Sequence, residues 1–340
     1  MAIEPIKFGI EIEVEGPRLV FDGIGASWNT TADGSLRGNS VEYVLAGAQS
    51  STDAKAALTL LHKRFVEEKA KTALSDRCGV HIHVNIRDMN RLQLCNFITV
   101  YLILEDALVF AGDEDRHDNL FCLRANSSEF LLNHLCQCFA NYQHFRNTPE
   151  NTFKYAAMNL AATRKFGSLE FRFFKTPSDF RKIKGWLDIF ANIRAYSLTF
   201  GKPSDIVEAF SEAGATRFCQ LALGDSFVYL SNMRNLEEIV WDSMRNMQYL
   251  AFSHKDQPVD DKPLHRDFGP NAGRINVAYL EMPNHPGLVN ARVLEGRTFY
   301  HFWIPEGAII QGHGGARARV LYPNGATDIV EADEVDGREE

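Results

Sequence analysis

From Ile10 onward the stretch Lys7-Phe-Gly-Ile-Glu-Ile-Glu-Val-Glu15 alternates apolar and acidic residues. Side chains two apart on a strand share a face. Phe8, Ile10, Ile12 and Val14 are therefore expected in a core, with Glu11, Glu13 and Glu15 in a row on the other face. Like charges in a row repel, and nothing within the stretch neutralises them. A solvated edge face tolerates such a row, and so does a face that holds a cation. The pattern recurs in Ser40–Leu45, with Glu42 at its middle, and in Gly79–Asn85, where Val80, Ile82 and Val84 oppose His81, His83 and Asn85. It recurs again in Ser168–Phe174, where Glu170 and Arg172 oppose Leu169, Phe171 and Phe173. Four such strands predict a sheet with a covered back and a polar, concave front.

Helical periodicity is read over residues 52–74, with Leu58, Leu61 and Phe65 inward, and over 90–111, 128–146, 177–200, 204–222 and 234–252. Residues 153–163 and 167–175 read as the arms of a hairpin with the basic tip Arg164-Lys165-Phe166-Gly167. Leu19–Phe21 reads as a brief strand within a loop over 17–39. Residues 254–273 read as a long loop, followed by β-like runs at 275–280, 298–304 and 318–322, and the acidic end 331–340 is expected to fray. The fold expected is α+β: a curved, mainly antiparallel sheet with helices on its back, then a helical and a β-rich C-terminal region. The domains expected are 1–205, 206–252 and 253–340.

Composition narrows the function. In 340 residues, 45% are hydrophobic, ample for a core, and the net charge of −8 gives no basic footprint for nucleic acid. The six cysteines form no Cys-x-x-Cys pair, so a zinc ribbon or thioredoxin-type site is not expected. No secretory leader and no apolar run of about 18 residues is read, so a membrane span is not expected and a reduced cytoplasmic setting is the default.

The front-face residue types carry the chemistry. Carboxylates are hard oxygen donors that suit Mg²⁺ or Mn²⁺, and an arginine two residues from a ligand glutamate suits a phosphoryl or carboxylate group. A zinc hydrolase would need a His-Glu-x-x-His helix, which is absent from the sequence. The acidic run 112–118 lacks the glycine and the distal glutamate of an EF-hand loop, and Gly312-His-Gly-Gly315 lacks a Walker lysine.

The set Gly9-x-Glu11-x-Glu13, Glu42, His81-x-His83, Asn159 and Glu170-x-Arg172, with the run Arg116–Cys122, resembles the glutamine synthetase and glutamate–cysteine ligase superfamily. More narrowly it resembles the amidoligase family, over roughly residues 5–200. The resemblance implies a glutamine-synthetase-like catalytic sheet and an ATP-dependent joining of a carboxylate to an amine through an acyl phosphate. It implies Glu13 and Glu42 on one Mg²⁺ or Mn²⁺ and Glu11, His81 and Glu170 on another. His83 and Arg172 would contact phosphate, and the Asp33-Gly34-Ser35 turn would lie beside the active site. Arg116, Arg124, Lys165 and Asn159 are further candidates for nucleotide or substrate contacts; each arginine is equally readable as a surface charge or an ion pair. The partners implied are small-molecule or peptide acids and amines, with an oligomer left open. Two rival readings stand beside this one: a guanidino-kinase-like phosphotransferase on the same kind of sheet, and a non-catalytic binding protein that retains the fold.

Overall fold

Strand β1 (Lys7–Arg18) runs through the middle of an antiparallel sheet in this computed structural model. The structure describes residues 6–21, 23–73, 75–112, 122–146, 148–149, 153–254, 277–281, 288–295, 298–314, 316–323 and 325–337. The chain divides into two compact units, residues 1–270 and 271–340. In the first unit the other strands are β2 (Trp28–Thr31), β3 (Ser40–Leu45), β4 (Gln49–Ser50), β5 (Lys71–Ala73), β6 (Gly79–Asn85), β7 (Met158–Asn159) and β8 (Ser168–Lys175). Their order is β2-β3-β1-β6-β8-β7, with β4 and β5 also paired to β1.

The hydrophobic alternation sets the back of this sheet. Phe8, Ile10, Ile12, Val14, Val80, Ile82, Val84, Leu169, Phe171 and Phe173 are all buried. Helix α1 (Ser51–Glu67) covers the β1–β3 side: Phe65 meets Tyr43 edge to face, and the Trp28 indole N–H donates to the Ala57 carbonyl. Helix α2 (Arg91–Gly112) is long and apolar enough to cross a membrane by length and composition, a feature the sequence pattern did not suggest. Its most apolar window is 89% buried inside the unit, so this helix is a core element. Further along come α3 (Glu129–Ala140), α4 (Gln143–Arg146), α5 (Ala162–Phe166) and α6 (Ile183–Ser197). The α6 residue Phe190 stacks on Phe171 at 4.0 Å. Helices α7 (Pro203–Ala213), α8 (Ala215–Leu223) and α9 (Leu236–Ser253) continue the same core.

The expected α+β class holds, while several element readings change. Helix α1 stops at Glu67, and Leu19–Phe21 form no strand. The expected first hairpin arm, 153–163, contains only the two-residue β7 and then α5. Its apolar residues Phe153, Ala156, Ala157, Met158 and Leu160 are buried throughout, which erases the periodicity that tells a strand from an enclosed loop. Gly167, at φ +71°, caps α5 and turns the chain into β8. Asn141 divides the expected 128–146 helix and Gly214 divides 204–222. A 3₁₀ turn over Phe180–Lys182 precedes α6. The expected loop 254–273 lies outside the described residues except for His254.

The second unit is β-rich, as expected. Strands β9 (Val277–Glu281), β10 (Leu288–Glu295), β11 (Thr298–Pro305) and β15 (Glu334–Gly337) form one sheet, and β12 (Ile309–Gly314), β13 (Arg317–Leu321) and β14 (Thr327–Glu331) form another. Ala291, Val293, Phe302, Ile304, Ile310 and Val320 are buried together. The acidic end does not fray through residue 337, because β15 is laddered to Thr298–His301 of β11.

A buried polar network ties α2 to the edge of the main sheet. The Leu123 N–H donates to the Tyr155 carbonyl, and the Ala157 N–H donates to the Leu123 carbonyl. Glu105, fully enclosed, accepts from the Ala125 N–H at 2.7 Å and from the Tyr101 hydroxyl at 3.1 Å. Burial first, and then the charge of Asp106, push its carboxyl up to about 8. The folded state therefore favours the protonated acid: this stabilising contribution is complete below the ordinary value of 4.5 and is lost as pH rises through about 8. In Glu105→Gln the loss should be absent. We expect a melting temperature that varies less with pH across this window and, above pH 8, a gain of more than ~1 kcal/mol over wild type. Parallel melting curves for the two proteins would show that other groups govern the pH dependence.

Candidate active site

The register of the sheet brings the front-face residues together. Glu13 pairs directly with Glu42 across β1–β3, Glu11 with His81 across β1–β6, and His83 with Glu170 across β6–β8. Asn159 on β7 pairs with Glu170 from the other side. Between Val80 and Ile82 the β6–β8 register slips by one, so Arg172 and Phe173 share the space opposite His81. A slip of this kind bends the strand locally and re-aims its side chains. Arg172 Nη1 donates to Glu170 Oε1 at 2.5 Å, and the Asn159 amide donates to Glu170 Oε2 at 2.8 Å.

This front is less solvated than the sequence pattern suggested. Glu13, His81, His83, Asn159 and Glu170 are all buried. The repulsion along β1 is answered from β6: His81 Nδ1 lies 3.0 Å from Glu11 Oε2, and His83 Nε2 lies 3.4 Å from Glu11 Oε1. Burial pushes the Glu11 carboxyl up, but its contacts with His81 and His83 outweigh burial and hold it far below the usual carboxylate range. Burial also opposes the charge on Glu170, and Arg172, His83 and His81 overcome it. His83 is itself raised: burial disfavours its cation, but Glu11 and Glu170 more than compensate. Glu13 is left raised, chiefly by burial, although the Gly79 N–H donates to its Oε2 at 2.9 Å. Glu42 is the least compensated, pushed up to about 7 by burial and by the charges of Glu11, Glu13 and Asp33.

Three groups of side chains offer atoms within 4.8 Å of one another: Glu11, His83 and Glu170; Glu11, Glu42 and His81; and Glu13, Asp33 and Glu42. This donor set fits hard divalent cations, being oxygen-rich with an occasional imidazole. Two further observations agree. Among the described residues Glu42 accepts no hydrogen bond from a side chain, and buried His83 Nε2 has Glu11 Oε1 3.4 Å away but no hydrogen bond of good geometry. The grouping differs in detail from the one the resemblance implied. His83 joins Glu11 and Glu170, and Asp33, read from sequence as a catalytic candidate in a turn beside the site, joins Glu13 and Glu42.

Beside the cluster lies a cavity of about 440 Å³, which shares Glu11 and His83 with it. Gly9 lines it, and a Cβ added there would come within 3.3 Å of the His83 Cβ. Val44, Leu45 and Phe166 supply apolar wall, Asn29 and Asn85 supply amides, and Lys7 and Arg87 supply positive charge. The sequence reading missed Lys7, Arg87 and Phe166 as site residues. Lys7 stands four residues before Glu11 on the same face, a signal open to inspection; Arg87 lies just beyond β6 and Phe166 is the last residue of α5, and they carry no such signal.

Of the nucleotide candidates, Lys165 is exposed on α5 with its Nζ 4.9 Å over the Phe166 ring. Arg124 is not brought to the cluster: its Nη1 pairs with Asp106 on α2 at 2.9 Å, in a network with Asn126 and Ser243. Arg116, with most of the 116–122 run, lies outside the described residues.

Residues 57–193 match the family model described as putative amidoligase enzyme. This segment is similar to that family. The match carries His81, His83, Asn159, Glu170 and Arg172; Glu11, Glu13 and Glu42 precede it and meet the matched segment through the sheet, and Asp33 precedes it in the loop between β2 and β3. No curated protein matches the chain. The family match bears out the resemblance read from the motifs and supports an amide-bond ligase in general terms.

The electrostatics give a test of the cluster. A carboxyl raised from 4.5 to about 7 contributes stability below 4.5 that is lost as pH rises through about 7. A cation needs that carboxyl ionised, so binding near neutrality should release its proton. Calorimetric Mn²⁺ titrations in two buffers of different ionisation heat should show the release, with affinity rising roughly tenfold per pH unit below about 7. In Glu42→Gln the proton release should vanish and affinity should fall. Release that persists in this variant would assign the proton to another group.

Proposed function

We propose that this amidoligase-type protein is an ATP-dependent carboxylate–amine ligase. The observation that carries the reading is that five carboxylates, two imidazoles and a bulge-aimed arginine, buried or half-buried, converge beside a cavity of about 440 Å³. Residues Glu13, Asp33 and Glu42 would hold one Mg²⁺ or Mn²⁺, and Glu11 and Glu170 with an imidazole another. When bound, such ions neutralise phosphate charge and align the reacting groups.

ATP is proposed for the cavity, its base against Phe166, Val44 and Leu45 and its phosphates toward the cluster. An oxygen of the substrate carboxylate takes the γ-phosphoryl group, and the bond from that phosphorus to the bridging oxygen breaks, releasing ADP. The amine then attacks the acyl carbon, the C–O bond to phosphate breaks, and amide and inorganic phosphate form as the nitrogen loses a proton. Arg172 supplies a planar fork of donors for the phosphoryl oxygens, held in aim by Glu170, which Asn159 steadies in turn. The enclosed front keeps water from the acyl phosphate.

The deciding measurement is ADP release against pooled carboxylates and amines, with mass spectrometry of the product. Amine-dependent ADP release with an amide product supports the ligase. A stable phosphorylated product without ligation would replace it with a phosphotransferase, and absence of ATP binding in Mg²⁺ or Mn²⁺ would replace it with a binding protein.

Two variants test the assigned roles. Glu13→Gln should weaken Mn²⁺ binding while leaving the fold intact, because this carboxylate faces the cluster and not the core; unchanged affinity removes it from the site. Arg172→Lys keeps the charge but loses the fork. Its kcat should fall roughly a hundredfold, about 3 kcal/mol, with nucleotide affinity little changed. Near-normal turnover with a lowered melting temperature would make Arg172 a structural partner of Glu170.

A further inference from the structure

Glu15 extends the acidic row of β1, yet it belongs to none of the groups of side chains that could hold a cation among the described residues. It is nine-tenths buried, and its Oε1 accepts the backbone N–H of Arg37 at 2.7 Å. Arg37 lies in the loop 32–39 that joins β2 to β3. Register places Thr31 opposite Glu42 at the mouth of this hairpin, so the loop leaves the sheet beside the cation cluster. It carries Asp33, whose Oδ1 accepts the Ser35 N–H at 2.5 Å.

From the other flank, Arg77 Nη1 donates to the Ser35 carbonyl at 2.8 Å. The Gly16 N–H donates to the Asn39 carbonyl at 2.9 Å, the Asn39 amide donates back to the Gly16 carbonyl at 2.7 Å, and Leu36 is buried. These contacts hold Asp33 against two carboxylates that repel it. A loop of this length containing Gly34 and Gly38 has the freedom to swing away from such a field, unless it is gripped at both flanks.

We propose that Glu15 and Arg77 are positioning residues: they grip the 32–39 loop and thereby present Asp33 to Glu13 and Glu42 as the third oxygen ligand of one cation. The proposal rests on the cation reading given above. It assigns different work to successive acids of one strand face, with Glu11 and Glu13 facing the ions and Glu15 holding the loop that completes a site. The loop is thus part of the binding equilibrium, and cation affinity reports how well it is held.

The test is Mn²⁺ titration by calorimetry on the whole chain, with the melting temperature of each variant recorded. Asp33→Asn should weaken one class of Mn²⁺ site about tenfold, and Glu15→Ala about as much. Glu15→Gln should stay within about twofold of wild type, since its amide oxygen still accepts the Arg37 N–H. The double variant Glu15→Ala/Asp33→Asn should bind no more weakly than Asp33→Asn alone, because both changes remove one interaction. Arg77→Ala should also weaken the site, and it carries the test if Glu15→Ala does not fold.

If Glu15→Gln is as weak as Glu15→Ala, the charge of Glu15 acts directly and the anchoring role is overturned. Additive losses in the double variant, or unchanged affinity in both Glu15→Ala and Arg77→Ala, overturn it as well. Loss in Glu13→Gln with none in Asp33→Asn removes Asp33 as a ligand and the proposal with it. A wild-type protein that binds no Mn²⁺ overturns the cation reading itself.

Discussion

Carboxylates that share a buried sheet face repel one another, and the rest of this site is arranged around that repulsion. At an effective dielectric of ~20, two unit charges 4–5 Å apart interact by roughly 4 kcal/mol, a large fraction of the stability of an ordinary domain. The protein lowers the strain unevenly. Glu11 is flanked by His81 and His83, and Glu170 is held by Arg172 and Asn159, so both stay ionised. Glu13 and Glu42, directly opposite each other on β1 and β3, are left as the pair that favours a proton or a cation. The unevenness itself has functional content: the residues left short of positive charge mark where an ion is most favoured.

The antiparallel ladder makes this arrangement possible. Residues directly opposite across a ladder have side chains about 5 Å apart, so one residue per strand suffices to build a cluster once the register is set. The register is held by the back of the sheet, where a slip by one residue would turn Ile10, Ile12, Val80 and Ile82 outward. The departure from even pairing between β6 and β8 lies at Arg172, where a long side chain is re-aimed toward the acids. Packing on one face and chemistry on the other are therefore two consequences of the same alternation.

The buried carboxyls on α2 are arranged differently. Asp106 is matched by Arg124, Asn126 and Ser243, and Glu105 by a hydroxyl and a backbone N–H. Each carboxyl there has its own donors, so the network holds the 122–127 segment and the strand edge next to Asn159 without calling for an ion. In the front-face cluster the donors are unevenly shared, and Glu42 has none of its own among the described side chains. That contrast, more than burial or pKa alone, separates a structural network from a candidate active site.

Much of the site was legible in the chain. Period-two alternation in four segments assigned strands, faces and the residues of the front, because the pleat fixes the side of every second residue whatever surrounds it. The order of those motifs carried the amidoligase resemblance, which the match over residues 57–193 then met. What the chain could not decide is which acids face the cluster and which face a loop. Glu15 looks identical to Glu13 in sequence, and only the folding of loop 32–39 across the sheet gives it the Arg37 N–H as a partner. Arg124 and Arg172 are equally basic in sequence; one is claimed by Asp106 from a helix 18 residues away, the other by a neighbour on its own strand. The cavity cations Lys7, on β1, and Arg87, just beyond β6, converge only when β1 and β6 pair. Alternation is a local property of the backbone and can be read from the chain, whereas the choice of partner for a charge depends on what the tertiary fold brings within a few ångströms.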